Sequence, residues 1–293
     1  MEKRRKRKIN PFTAAMFVVL ALHSLSLILL FIWGVGASVK TDYDFRFNVF
    51  GIPKEWTFEN FVLVWNNFGT QVRIGMEIKR FYIEGLLFNS FFYALSCAFV
   101  GTMSHCIMGY ITAKFKFKIS AVITTVVYVT MVLPIIGTLP STLQVVDTLG
   151  IYDSWFGVWF MSAGFLGINF LIFQAAFKVI PSDFAEAAQM DGAGNFYVFT
   201  RIMFPLVFKT FSLIYLLAFI GYWNDYQSPL IFLPSKPTIA IGLYYFNSSR
   251  DGVMGSIPVK LAAAVVSLLP IAVIFAFFHK KLLGNLSMGG LKG

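Results

Sequence analysis

The chain is poor in the residues that most enzymes use. Of its 293 residues only three are histidine and two are cysteine. His23, His105 and His279 are scattered over three apolar runs, which favours packed or interfacial roles over metal ligation. Cys97 and Cys106 stand nine residues apart in one run. At about 100° per helical residue they fall on opposite faces, so they cannot pair with each other, and core packing is the better reading. There is no GxxxxGK[ST], so the chain cannot cradle ATP phosphates by itself. HExxH and GxSxG are also missing, and no internal repeat is visible. Charge is scarce too, at 13% against roughly 25% in globular chains. Catalysis in the membrane needs clustered acids, histidines or a nucleophile, and only Asp225 sits at possible membrane depth. The chain is therefore not expected to be an enzyme.

What is abundant is apolar residues, 57% of the chain, with a mean hydropathy of +0.72. They form long blocks rather than the alternation of a soluble core. Ile9–Val39 holds one ionisable group, His23; Gly85–Ala113 holds only His105 and the two cysteines. No charge interrupts the stretches between Lys118 and Asp147, between Asp153 and Lys178, or from Leu261 to Phe278. Thr210–Ser235 is broken only by Asp225. A crossing takes about 20 residues. The expected fold is therefore all-α and integral to the membrane, with six transmembrane helices. The first run follows KRRKRK but is roughly twice the length of a signal-peptide core, so it is expected to persist as a helix.

Charge sets the orientation. With the N-terminus in the cytoplasm, six crossings return the C-terminus there. The cytoplasmic segments then hold 15 basic and 4 acidic residues, and everything else 9 and 10. The whole positive balance lies on one side, as the positive-inside rule expects. The basic N-terminus needs no nucleic acid; anionic lipid suffices. The expected organisation is a basic cytoplasmic N-terminus over 1–11, a first span over 12–39 and an external segment over 40–84. A core of five spans follows over 85–280, with a cytoplasmic loop at 179–205 and a cytoplasmic tail at 281–293. Within the external segment, WTFENFVLVWNNF reads as an amphipathic interfacial element.

The cytoplasmic loop carries the most specific pattern, EAAQMDGAGNFYVFTRIMFP over 186–205. Asp183 and Glu186 read as a D-x-x-E capping box behind Pro181. Ala185, Ala187 and Ala188 favour helix and offer a thin face, Gly192 suits a left-handed stop, and Asn195 suits the cap of a second short helix. Pro205 opens the next span. A helix of about nine residues is marginal alone in water, so it must dock. A lipid-lying helix would be basic and bulky; this one is acidic and alanine-rich, which favours docking on protein.

These residues resemble bacterial ABC importer permeases. Glu186-Ala187-Ala188, three residues, Gly192, nine residues, then Ile202-x-x-Pro205 matches their EAA loop, with Phe204 in place of the usual leucine. NSFFYA from Asn89, YWNDYQSPLIFL around Trp223 and the closing GNLSMGGLKG are similar to the maltose-type sugar permeases, so the likeness spans Asn89 to Gly293. The resemblance implies a type I importer fold, a carbohydrate cargo (oligosaccharides above all) and a heterodimer with a second permease. It also implies two cytoplasmic ATPase chains carrying ATP and Mg, and an extracytoplasmic solute-binding protein. No cofactor or metal would be bound by this chain. Asp183, Glu186, Ala187, Ala188, Asp191, Gly192, Ile202 and Pro205 would dock the ATPase, and Gly289 and Gly290 of the tail would reach it. Asn89, Trp223, Asn224 and Asp225 would line the translocation path or its gate. For Asp225 two readings stand: a contact to sugar, or a cap tying the fifth span to a neighbour. A stand-alone secondary transporter or channel is the competing class, and glycerol phosphate a competing cargo.

Overall fold

A computed structural model describes residues 10–115, 117–133, 137–248 and 252–286. Helix α1 (Pro11–Ser38) starts where Asn10 accepts the Phe12 N–H and Pro11 occupies the first turn. The short α2 (Asp42–Phe47) and α3 (Glu59–Asn67) follow, then strands β1 (Gly69–Ile74) and β2 (Glu77–Tyr82). Helix α4 (Ile83–Lys114) is the longest. Beyond it come α5 (Lys118–Val132), α6 (Leu139–Thr148), α7 (Trp155–Ser162), α8 (Ile168–Val179) and α9 (Asp183–Met190). Then α10 (Asn195–Tyr197), a π-helical turn (Val198–Met203) and α11 (Phe204–Asn224) form one continuous helix. The last elements are α12 (Gln227–Phe232), α13 (Ile239–Ser248) and α14 (Ile257–Leu286), the last with Pro270 inside it.

Among the described residues four helices are long and apolar enough to cross a membrane: Pro11–Ser38, Ile83–Lys114, Asn195–Asn224 and Ile257–Phe277. The two other charge-free runs do not form single helices. One divides into α5 and α6; the other divides into α7 and α8. The first break includes Gly137 at φ +80° and the second Gly167 at φ +135°, conformations that side chains resist. The fold is also not purely helical. β1 and β2 pair antiparallel around Gly75, which takes φ +63° as the tight turn requires.

The chain divides into two compact units, Met1–Phe68 with Phe246–Leu269, and Gly69–Tyr245 with Pro270–Gly293. The first is ordered by polar groups just beyond α1. Lys40, 1% exposed, donates through Nζ to the carbonyls of Asn48, Val49 and Gly51. Asn60 donates to the carbonyls of Ser38 and Lys40 at 2.8 and 2.7 Å. Asp44 accepts from the Lys54 N–H and the Asn48 amide.

In the second unit α4 is the hub. It packs on α8, α11 and α7. Lipid supplies no hydrophobic drive between helices, so close fit must hold them. Gly109 provides it: a Cβ there would stand 2.7 Å from Phe173 Cβ and 2.9 Å from the Gln174 nitrogen. One buried cluster surrounds Cys106, Tyr110, Phe177, Val198 and Met203, and another joins Tyr93, Cys97, Val158 and Phe232. Both cysteines are free and buried, one in each cluster.

Candidate functional site

The loop that follows α8 is pinned at its start. Lys114, the last residue of α4, donates through Nζ to the Ile180 carbonyl, one residue before Pro181. Helix α9 then opens with Ser182 as its N-cap and no side-chain cap bond. The expected D-x-x-E box is not formed, because the helix begins one residue early and Asp183 lies inside it. Asp183 and Glu186 still occupy the first turn, where the helix dipole favours negative charge.

The far end of α9 closes as the sequence implies. Gly192 takes φ +84°. The Ala193 N–H reaches the Ala188 carbonyl at 2.9 Å and the Gly192 N–H reaches Gln189 at 3.0 Å, a Schellman stop. Asn195 is not a cap: Gly194 holds that position, and the Asn195 side chain accepts from Gln189 instead. Pro205 lies within the continuous helix, not at the opening of a separate span. It has no N–H for the Arg201 carbonyl, and the π-turn directly before it absorbs that conflict. Ile202 is half-buried in this turn, while Pro205 is exposed.

Burial decides which face of α9 is available. Ala185 and Ala188 turn inward, with Ala193, onto the cluster that holds Tyr110 and Phe177. The sequence offered the alanines as the docking face; Ala188 is half-buried on this inner side, while Ala187 is exposed on the other. The outward stripe is Asp183, Glu186, Ala187 and Met190, spaced i, i+3, i+4, i+7, all exposed. Asp191 is exposed beside it. Met190 (89% exposed), Phe196 (81%) and Phe184 (52%) add apolar knobs that the sequence reading missed. Bulky apolar side chains at exposed loop positions were the available signal.

The second candidate group is only partly brought together. Asn89 is buried and donates to the Pro237 carbonyl at 3.0 Å. Trp223 is buried edge-on against Phe91, with ring centroids 4.8 Å apart. Asn224 bonds back to Ile220 in its own helix. Asp225 ends α11, accepts the Ser228 N–H at 3.0 Å and accepts the Tyr93 hydroxyl at 3.2 Å. The capping-and-tying reading thus describes its contacts. Beside it lies a polar-edged cavity of about 170 Å³ lined by Tyr93, Met161, Ser162, Tyr222 and Ser228 with Val158. The sequence reading named none of these; its hint was hydroxyl groups in otherwise apolar runs. Gly289 and Gly290 lie outside the described residues. Among the described residues no group of histidine, cysteine and carboxylate side chains could hold a metal.

A bundle of long apolar helices that carries a short exposed helix between α8 and α11 has the build of a multi-pass membrane protein. Residues 106–284 match the family of binding-protein-dependent transport system inner membrane components, and the chain belongs to that family. It is 27% identical over 243 residues to the arabinooligosaccharides transport system permease protein AraQ of Bacillus subtilis, covering 82% of this chain and 81% of that one. It is 27% identical to the maltodextrin permease protein MdxG of the same organism, over 74% and 80% of the two chains. It is 23% identical to the diacetylchitobiose uptake permease protein NgcG of Streptomyces coelicolor, over 95% and 88%. A crystal structure of a bacterial ABC transporter that imports the acidic polysaccharide alginate shares the fold, with a TM-score of 0.74 at 20% identity, covering 96% of this chain and 98% of that chain. The protein is a multi-pass inner-membrane permease of an ABC system, and ATP hydrolysis in such importers resides on a separate chain.

Proposed function

We propose that this permease carries sugars, oligosaccharides in particular, into the cell, and that α9 is the seat through which ATPase chains drive it. The observation that carries the reading is the exposed stripe Asp183, Glu186, Ala187 and Met190 on a helix braced at both ends, by Lys114 before it and the Gly192 stop after it. A short helix whose inner alanines are already packed presents an outer stripe of acids, a small residue and a flexible methionine, a set suited to insertion in a protein groove. The working assembly is this permease, a second related permease, two ATPase chains binding ATP and Mg, and a soluble binding protein that delivers cargo. Six crossings, with α5–α6 and α7–α8 each making one in two pieces, place both termini in the cytoplasm. Asn89, Trp223 and Asp225 hold the helices beside the path, and the hydroxyl-lined cavity next to Asp225 suits a polyol. The cargo class follows the sugars named for the similar permeases.

Two measurements test this. Glu186→Lys cancels the negative charge of the stripe, since the new lysine offsets Asp183, and is expected to abolish uptake while leaving the chain in the membrane; unchanged uptake would remove α9 as the seat. Titrating the binding protein against a panel of glycans is expected to show its tightest binding to an oligosaccharide. Binding to a phosphorylated polyol alone would overturn the cargo assignment.

A further inference from the structure

One polar knot among the described residues serves none of these roles. Gln174 of α8 is 5% exposed inside an apolar bundle. Its amide nitrogen donates to Thr112 of α4 at 3.1 Å and to Thr124 of α5 at 2.9 Å. Its carbonyl oxygen accepts from Lys178 at 3.1 Å. The match of donors to acceptors is complete. Thr112 already gives its proton to the Met108 carbonyl at 2.8 Å, and Thr124 gives its own to Ser120 at 2.8 Å. Each threonine therefore faces Gln174 with a lone pair, and the amide supplies the two protons they lack. The backbone beside it is held as tightly, since Gly109 brings α4 against the Gln174 nitrogen.

The knot lies where α5 needs it. Val127 is the one buried residue among those described in α5, so packing alone holds that helix weakly. It also lies one helical turn from the docking loop: Lys178 follows at i+4, and Ile180 takes the Lys114 ammonium. We propose that Gln174 is a positioning residue, a three-helix pin that makes α4, α5 and α8 move as one body with α9. Force received at α9 then reaches α5 instead of being lost in a slack joint. The inference rests on the reading of α9 as the ATPase seat.

The test uses the whole importer, isolated through a tag on this chain and reconstituted in liposomes. Spin labels are placed at Gln189→Cys on α9, exposed and off the docking stripe, and at Thr125→Cys on α5, also exposed, while the native cysteines stay buried. The distance between labels is measured without nucleotide and after trapping with ATP and vanadate. The parent is expected to give one narrow distribution that is the same in both states. Gln174→Met keeps the volume and removes the pin; Thr112→Val with Thr124→Val removes both acceptors at constant shape. Each is expected to widen the distribution and make it differ between states. Combining all three changes is expected to add nothing, and the Thr112→Ser, Thr124→Ser pair is expected to behave as the parent. Two interhelical bonds of this kind predict a loss of about fivefold to tenfold in cargo moved per ATP hydrolysed. A narrow, unchanged distribution in both pin-less variants would overturn the proposal, as would losses that add independently, or failure of every variant to reach the membrane. The docking reading fails separately: the α9 label would then stay equally mobile with and without the ATPase chains.

Discussion

Helices α1 and α4 are both long enough to cross a bilayer, yet they solve different problems. The best apolar window of α1 has a hydropathy of 2.6 and no buried residue; that of α4 has 1.5 and is half buried. The less hydrophobic helix is the one the fold depends on. A helix that meets other helices needs small residues for close approach and polar side chains for cross-ties, and both lower its hydropathy. Gly101, Gly109, Tyr93, Asn89 and Thr112 do this work in α4. α1 is apolar along its length apart from Thr13, a mid-helix group of His23, Ser24 and Ser26, and Ser38, and its only buried residues, Ala37 and Ser38, are at its last turn.

The comparison can be broken first at glycine. Gly109→Leu would drive a side chain into Phe173 and the α8 backbone, whereas nothing lies within 4 Å of a Cβ at Gly34. Overpacking of this kind costs about 1–3 kcal/mol or more. Gly109→Leu is expected to cut the folded yield in detergent sharply and Gly34→Leu to leave it unchanged; equal effects would erase the distinction. A charge probes the other side. Leu22→Lys on α1 is expected to lower membrane insertion by about 2.5–3.5 kcal/mol, while Leu22→Phe is neutral in an insertion assay. A smaller effect belongs to Tyr93→Phe, which removes the tie from α4 to Asp225 at a cost of about 1 kcal/mol. It is expected to lower the thermal midpoint by a few degrees, with no counterpart on α1.

The smallest effect lies just past the end of α1. Burial pushes the Asp44 carboxyl upward, but the Lys54 N–H, the Asn48 amide and the Lys40 ammonium outweigh it and hold the group below its usual range. A carboxyl lowered in the folded state stabilises above its unfolded value, and that stability is lost as pH falls through the folded value. Protection of the amides over residues 39–56, corrected for the intrinsic pH dependence of exchange, is therefore expected to be constant from pH 7 to pH 5 and to fall well into the acid range. Asp44→Asn is expected to remove that acid dependence.

Much of this molecule was legible in its sequence, but unevenly. Runs without charge located the apolar helices, and the spacing from Glu186 to Pro205 located the loop, because both are local properties. The same runs hid the breaks at Gly137 and Gly167, since the absence of charge says nothing about continuity of the backbone. The hairpin left a weaker trace, the alternation of QVRI before Gly75, which EIKRFY after it does not continue. The inward turn of Ala185 and Ala188 could not be read locally. An amphipathic helix with alanines on one side and mixed residues on the other does not say which side its own protein claims; that depends on Phe177 of the preceding helix and on Tyr110, far away in the chain. The buried lysine and glutamine were equally hidden, because their partners are backbone carbonyls and distant threonines.

The central claim is that the outer stripe of α9, and not its alanine-lined inner face, meets the ATPase. The direct measurement is cysteine cross-linking in native membranes, with single cysteines at Ala187, Met190, Ala185 and Ala188 and a short bifunctional reagent. The account expects Ala187→Cys and Met190→Cys to capture a chain that binds ATP, and Ala185→Cys and Ala188→Cys to capture none. Capture from the inner pair alone, or from no position in active membranes, would contradict it.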